Sequence, residues 1–238
     1  MTIVKICGVR TLEEGRTALR SGANWLGFVF WGPSKRCVSV ENAARIIRTL
    51  RSEQDVGDLE SVAALPTQRE RDEHREWHDW RAVGVFVDPS PEEVAAVAGE
   101  CRLDYVQLSG DEDASFVREI PLPTLKAIRV EHGREEEAAA IVRENRLGAH
   151  LYLLDTHRDG MYGGTGAQFA WEALRAIGPT CIVAGGLRPE NVRAALETLA
   201  PRGVDVSGGV EFPGGGKDPR LVKAFVEAVR THDLVSAS

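Results

Sequence analysis

A closed (βα)8 barrel, an α/β fold, is what this sequence predicts, on three observations. Short apolar segments alternate with amphipathic helical stretches from one end of the chain to the other. The apolar segments are hydrophobic at successive positions, as strands covered on both faces of a parallel sheet must be. The length of 238 residues suits eight such repeats, since barrels of this type typically run to about 250 residues. A doubly wound open sheet is the runner-up. It needs fewer strands, and no GxGxxG follows the first one.

Each element has a local reason. Ile3–Cys7 reads as the first strand. The helix over Thr11–Ser21 has Thr11 as N-cap, Glu14 to complete a capping box, and Gly22 as its stop. Trp25–Phe30 is the second strand, and Val40–Leu50 the helix after it. Ala82–Val87, Tyr105–Leu108, Thr124–Ala127, Leu151–Asp155, Cys181–Ala184 and Val204–Ser207 continue the strand series. Helical patterns lie at Pro91–Gly99, Glu112–Arg118, Glu135–Asn145, Phe169–Ile177, Pro189–Leu199 and Leu221–Arg230. Ser90 and Pro91 form a helix entry, the serine as N-cap and the proline at the first helical position.

One polar segment, residues 52–81, interrupts the rhythm between the second helix and the third strand of an otherwise single-domain chain. It reads either as an exposed helical excursion or as a flexible loop. Such a connection emerges on the face opposite a barrel's active site, so no catalytic role is expected of it. Trp77 and Trp80 are expected to pack locally.

The composition narrows the function classes. The chain is 43% hydrophobic and 27% charged, with a formal net charge of -7 spread along its length. A mildly acidic surface argues against nucleic-acid and membrane partners. No apolar run is long enough to cross a bilayer, and the start MTIVKIC has no signal-peptide pattern, so a cytoplasmic protein is expected. Cys7, Cys37, Cys101 and Cys181 are widely spaced without a CxxC pair. Reduced thiols and no metal site are the expectation.

Barrel active sites form where the strands end. Those ends carry Cys7-Gly8, the stretch Trp31–Arg36, Asp88, Gln107–Gly110, Lys126, Asp155, Ala184–Asn191 and Asp205–Glu211. Glycines after the last two strands, Gly185-Gly186 and Ser207-Gly208-Gly209, suit a phosphate, because bare backbone N–H groups approach its oxygens closely. A single pair would be read as a tight turn; two in adjacent barrel positions favour a phosphate cradle. Gly163–Gly166 reads as a flap near the substrate rather than a nucleotide loop, since it lacks the Walker lysine. Alone, Cys7 would be a small buried hydrophobe and Asp155 a helix cap. Placed together at strand ends, they make an acid–base pair suited to a proton-shuttling isomerisation of a phosphosugar.

The stretches KICG, GFVFWGPSKR, VGVFVD, VQLSGDE, LLDT, YGGTGAQFAW, AGGLRPENV and VDVSGGVE…GGKD occur in the order in which they are found in one family. In these the chain resembles phosphoribosylanthranilate isomerases. The resemblance implies an Amadori rearrangement of an aminoaldose to an aminoketose in tryptophan biosynthesis, needing no cofactor. It implies that Asp155 is the general acid at the ribose ring oxygen and Cys7 the general base at sugar C2. It implies that Arg36 holds the anthranilate carboxylate, and that Asp205 is a second carboxylate near the ribose hydroxyls. The partner is then a small phosphosugar, and the chain a monomer or homodimer.

Two departures from the family pattern stand out. Ser109 replaces the usual histidine of QLHG, and Gly208 replaces a serine in the phosphate loop, which predicts weaker phosphate binding. Two other readings keep the fold: an indoleglycerol-phosphate synthase or pentose-phosphate epimerase type of enzyme, and a non-catalytic phosphosugar-binding barrel or thiol sensor.

Overall fold

The computed structural model describes residues 1–64, 80–131, 133–155 and 171–236, with side chains of the first stretch described to Glu53. Trp77 and the expected Gly163–Gly166 flap lie outside these residues. Eight parallel strands close into one barrel in chain order. They are β1 (Ile3–Cys7), β2 (Trp25–Val29), β3 (Arg81–Phe86), β4 (Tyr105–Leu108), β5 (Thr124–Arg129), β6 (Leu151–Asp155), β7 (Cys181–Ala184) and β8 (Gly203–Val206). The barrel closes where β1 pairs with β8, Lys5 opposite Asp205.

Side chains alternate across each strand, and both faces find apolar company. Trp25, Val83, Leu125, Leu153, Ile182 and Ala184 point inward and fill the barrel as one cluster. Ile6, Leu26, Phe28, Ala82, Leu154 and Val204 point outward into the layer under the helices. Burial on both faces is why the strands read as unbroken apolar runs.

Helices bounded within the described residues are α1 (Leu12–Arg20), α2 (Val40–Ala64), α3 (Pro91–Cys101), α4 (Ala114–Glu119), α5 (Glu135–Arg143), α6 (Val192–Leu199) and α7 (Pro219–Ser236), and residues 171–174 are helical as well. The capping box of α1 is present: Thr11 Oγ1 accepts from Glu14 N at 3.2 Å, and Glu14 Oε2 accepts from Thr11 N at 3.2 Å. Ser90 caps α3 by accepting from Glu93 N at 3.1 Å, with Pro91 in the first turn.

Several boundaries differ from those read in the sequence. α2 does not stop at Leu50 but runs into the polar segment as far as Ala64. At the other end of that segment, Trp80 is 5% exposed in the core and Arg81 already belongs to β3. Arg51 lies over the Trp80 ring at 5.6 Å, so this tryptophan does pack locally. Glu112 is not the start of a helix; α4 begins after the Asp113 cap, because Glu112 is buried against Lys126. β5 continues to Arg129, leaving Lys126 in mid-strand on the outward face rather than at the mouth. There its ammonium donates to Gly110 O at 2.7 Å and Glu112 Oε2 at 2.9 Å.

Candidate active site

The two-residue period of β1 puts Ile3, Lys5 and Cys7 on the inward face. Cys7 is 7% exposed and forms the floor of the mouth with Val29 and Val85. One layer deeper, Lys5 is fully buried, and its ammonium meets Asp205 Oδ1 at 2.9 Å. Gly27 stands opposite Cys7 in the β1–β2 register. A Cβ there would lie 2.9 Å from the Cys7 sulfur and 3.1 Å from Lys5 Nζ. The glycine is what leaves room for both, and the two distances bound the sulfur–ammonium separation at 6.0 Å.

The electrostatics of this trio follow from burial. Loss of water pushes the Cys7 thiol above its ordinary range; Lys5 pulls it back in part, and Asp205 pushes it further up. Burial alone would lower Lys5, but Asp205 and then Cys7 outweigh it and raise its pKa.

Asp155 closes β6 on the same face as Leu151 and Leu153, which line the barrel interior. It stands opposite Arg129 of β5 and Ala184 of β7. Only β7 and β8 separate β6 from β1 in the closed ring. Both sequence-expected acid–base residues thus end strands on the inner face of one barrel.

The rim binds Arg36 tightly. Its guanidinium donates to both oxygens of Glu211, Nε to Oε1 at 2.6 Å and Nη2 to Oε2 at 2.9 Å, a fork that fixes its plane. Lys217 Nζ adds a third bond to Glu211 Oε1 at 2.9 Å and reaches Ser207 O at 3.2 Å. Ser207 Oγ in turn donates to Cys7 O at 3.0 Å. Burial works against the Glu211 carboxylate, yet Arg36 and Lys217 hold its pKa down at about 2. Burial lowers Lys217.

Glycines make this packing possible. Gly8 has φ of +82°, and a Cβ on it would sit 2.6 Å from Arg36 Cδ; one on Gly208 would sit 3.1 Å from Arg36 Nη2. A Cβ on Gly209 would fall 1.8 Å from Leu187 O, so the loops after β7 and β8 interlock through bare backbone. Gly185 and Gly186 have φ of +91° and +67°, a region glycine adopts without strain.

Sequence reasoning gave no role to Lys5, Glu211 or Lys217. Lys5 was signalled by its place two residues before Cys7, on the same face of a doubly buried strand, where an unpaired lysine is untenable. Both lysines buried in the strands are engaged, Lys5 with Asp205 inside the barrel and Lys126 with Glu112 outside it. Among the described residues no group of three or more His, Cys, Asp or Glu has the arrangement to hold a metal ion. Gln107, from β4, is 5% exposed and donates from Nε2 to Ser109 Oγ at 3.0 Å, so the serine at the usual histidine position is used to fix an amide.

A family model described as N-(5'phosphoribosyl)anthranilate (PRA) isomerase matches residues 52–228. The N-(5'-phosphoribosyl)anthranilate isomerase of Syntrophomonas wolfei is 38% identical over 232 residues, 97% of this chain and 98% of that one. The crystal structure of phosphoribosyl anthranilate isomerase from Thermotoga maritima superposes with a TM-score of 0.73 at 34% identity, covering 97% of this chain and 100% of that one. A structure of such an isomerase in complex with reduced 1-(o-carboxyphenylamino)-1-deoxyribulose 5-phosphate gives a TM-score of 0.71 at 33% identity, with the same coverage.

Proposed function

The chain belongs to the N-(5'-phosphoribosyl)anthranilate isomerase family, and from that premise we propose how its residues share the family's reaction. The enzyme converts N-(5'-phosphoribosyl)anthranilate to 1-(2-carboxyphenylamino)-1-deoxyribulose 5-phosphate in tryptophan biosynthesis. This aldose–ketose isomerisation moves protons and consumes no oxidant or reductant.

Asp155 gives its proton to the ribose ring oxygen, and the C1–O bond breaks to leave a protonated Schiff base. Cys7, as thiolate, takes the proton from C2. The C–H electron pair moves toward the imine nitrogen, giving an enol-amine that tautomerises to the ketone. Acid and base must flank the sugar, and the observation that carries the reading is that Cys7 and Asp155 both end strands on the inward face of one closed barrel.

Arg36 receives the anthranilate carboxylate, and Glu211 keeps its fork oriented. The backbone of Gly185, Gly186, Ser207 and Gly208 receives the phosphate. Asp205 acts near the ribose through Lys5 and Cys7 rather than as a free carboxylate. The enzyme works in the cytoplasm as a monomer or homodimer; no helix among the described residues is long and apolar enough to cross a membrane. The test is turnover of freshly made N-(5'-phosphoribosyl)anthranilate, followed by loss of its fluorescence, in the wild type, Cys7→Ser and Asp155→Asn. Wild-type turnover in either variant overturns that residue's role.

A further inference from the structure

Taking Cys7 as the base, a role it rests on, we infer that Lys5 is a positioning residue for that base, lending its ammonium charge to the sulfur whenever the sulfur is a thiolate, with Asp205 setting how much of that charge the sulfur feels.

The base alternates between thiolate and thiol in every turnover, on a floor made by Val29 and Val85. An isolated anion there is expensive, so a fixed cation must stand close by. Lys5 meets that need: it is fully buried, is held by Asp205 at 2.9 Å, and lies within 6.0 Å of the sulfur. With Asp205 on one side and Cys7 on the other, its ammonium keeps an acceptor in both states of the cycle.

The other charged groups near the sulfur do not substitute. Arg36 and Lys217 share one carboxylate, Glu211, Lys217 acts on the thiol less than Lys5 does, and Asp155 stands three strands around the ring. Ser207 contributes only a neutral bond to the Cys7 carbonyl. Lys5 is also the largest charge acting on the thiol, ahead of Asp205, which works against it, and Lys217, which works with it.

A purely structural ion pair and a charge-tuning one predict different things. If Lys5 stabilises the thiolate and Asp205 opposes it, removing each must move the thiol in opposite directions. The measurement is the pH dependence of iodoacetamide labelling at Cys7 in the full chain without substrate, resolved by peptide mass so that Cys37, Cys101 and Cys181 do not contribute. Lys5→Met should raise the Cys7 inflection by about one pH unit or more, and Asp205→Asn should lower it, opposite charges at this range being worth roughly 1–3 units.

If Lys5→Met fails to fold because Asp205 is left unpaired, Lys5→Met/Asp205→Asn removes both charges at similar volume and should still show a raised inflection. Lys5→Arg should stay closer to the wild type. Turnover at pH 7 should fall in step with the thiolate fraction, roughly tenfold per unit. An unmoved inflection, or shifts of the same sign in Lys5→Met and Asp205→Asn, overturns the inference. Opposite shifts with unchanged turnover instead overturn the assignment of Cys7 as base.

Discussion

Glu211→Gln is the perturbation with the most definite consequence. Glu211 accepts three hydrogen bonds from two cations, Arg36 and Lys217, and its side chain is only 6% exposed. Its carboxyl is held at about 2 against an ordinary 4.5. At about 1.4 kcal/mol per pKa unit, that difference is about 3 kcal/mol of native-state stabilisation at neutral pH. Arg36 keeps a 27% exposed side chain, and solvent screening brings the figure toward about 2 kcal/mol.

Glutamine keeps the shape and one acceptor but not the charge, so it stands in for the protonated carboxyl. The folded-state value is depressed, so the stabilisation is fully present above about pH 4.5 and is lost as pH falls through about 2. Urea unfolding of the wild type and Glu211→Gln should differ by about 2–3 kcal/mol at pH 7, and by roughly half that at pH 3. A difference below about 0.5 kcal/mol at pH 7, or one that does not shrink toward pH 3, refutes the claim that this carboxylate is stabilised by its two cations.

The remaining expectations concern turnover. Cys7→Ser and Asp155→Asn should each lower kcat by roughly 10²–10⁴-fold, the usual contribution of a general acid or base. Arg36→Ala should chiefly raise KM, since the carboxylate contact is the same in ground and transition states; a dominant fall in kcat would move Arg36 into the chemistry. Because burial holds the Cys7 thiol high, kcat/KM should rise with pH toward an inflection above the ordinary thiol value, and an inflection below about pH 7 would identify another base. Replacing residues 65–79 by a short Gly/Ser linker, with Trp80 kept, should leave kcat at the wild-type level; a collapse in a folded variant would give the polar segment a catalytic role.

The site was only partly legible before the fold was known. Strand ends can be read because a run such as Leu151–Asp155 changes from apolar to acidic at its last position, and a barrel assembles those changes at one mouth. Local caps were legible too, since Thr11 and Ser90 act on backbone three residues away. What Lys126 and Glu112 do was not, because a buried, paired lysine and glutamate look like surface residues until another strand covers them. The extent of α2 was missed because its continuation past Leu50 opens on a polar run, Arg51–Asp55, that interrupts the apolar period.

By itself, then, the sequence determined the eight-stranded barrel and which residues, Cys7 and Asp155 among them, end its strands, because these depend on local periodicity and on where each strand stops. Only the tertiary structure decided the charge partners. Lys5 finds Asp205 across 200 residues, and Arg36 finds Glu211 across 175. Ring closure brings β1 beside β8 and the β2 loop beside the β8 loop, and Coulomb attraction in a water-poor site depends on that distance in space, not on distance along the chain.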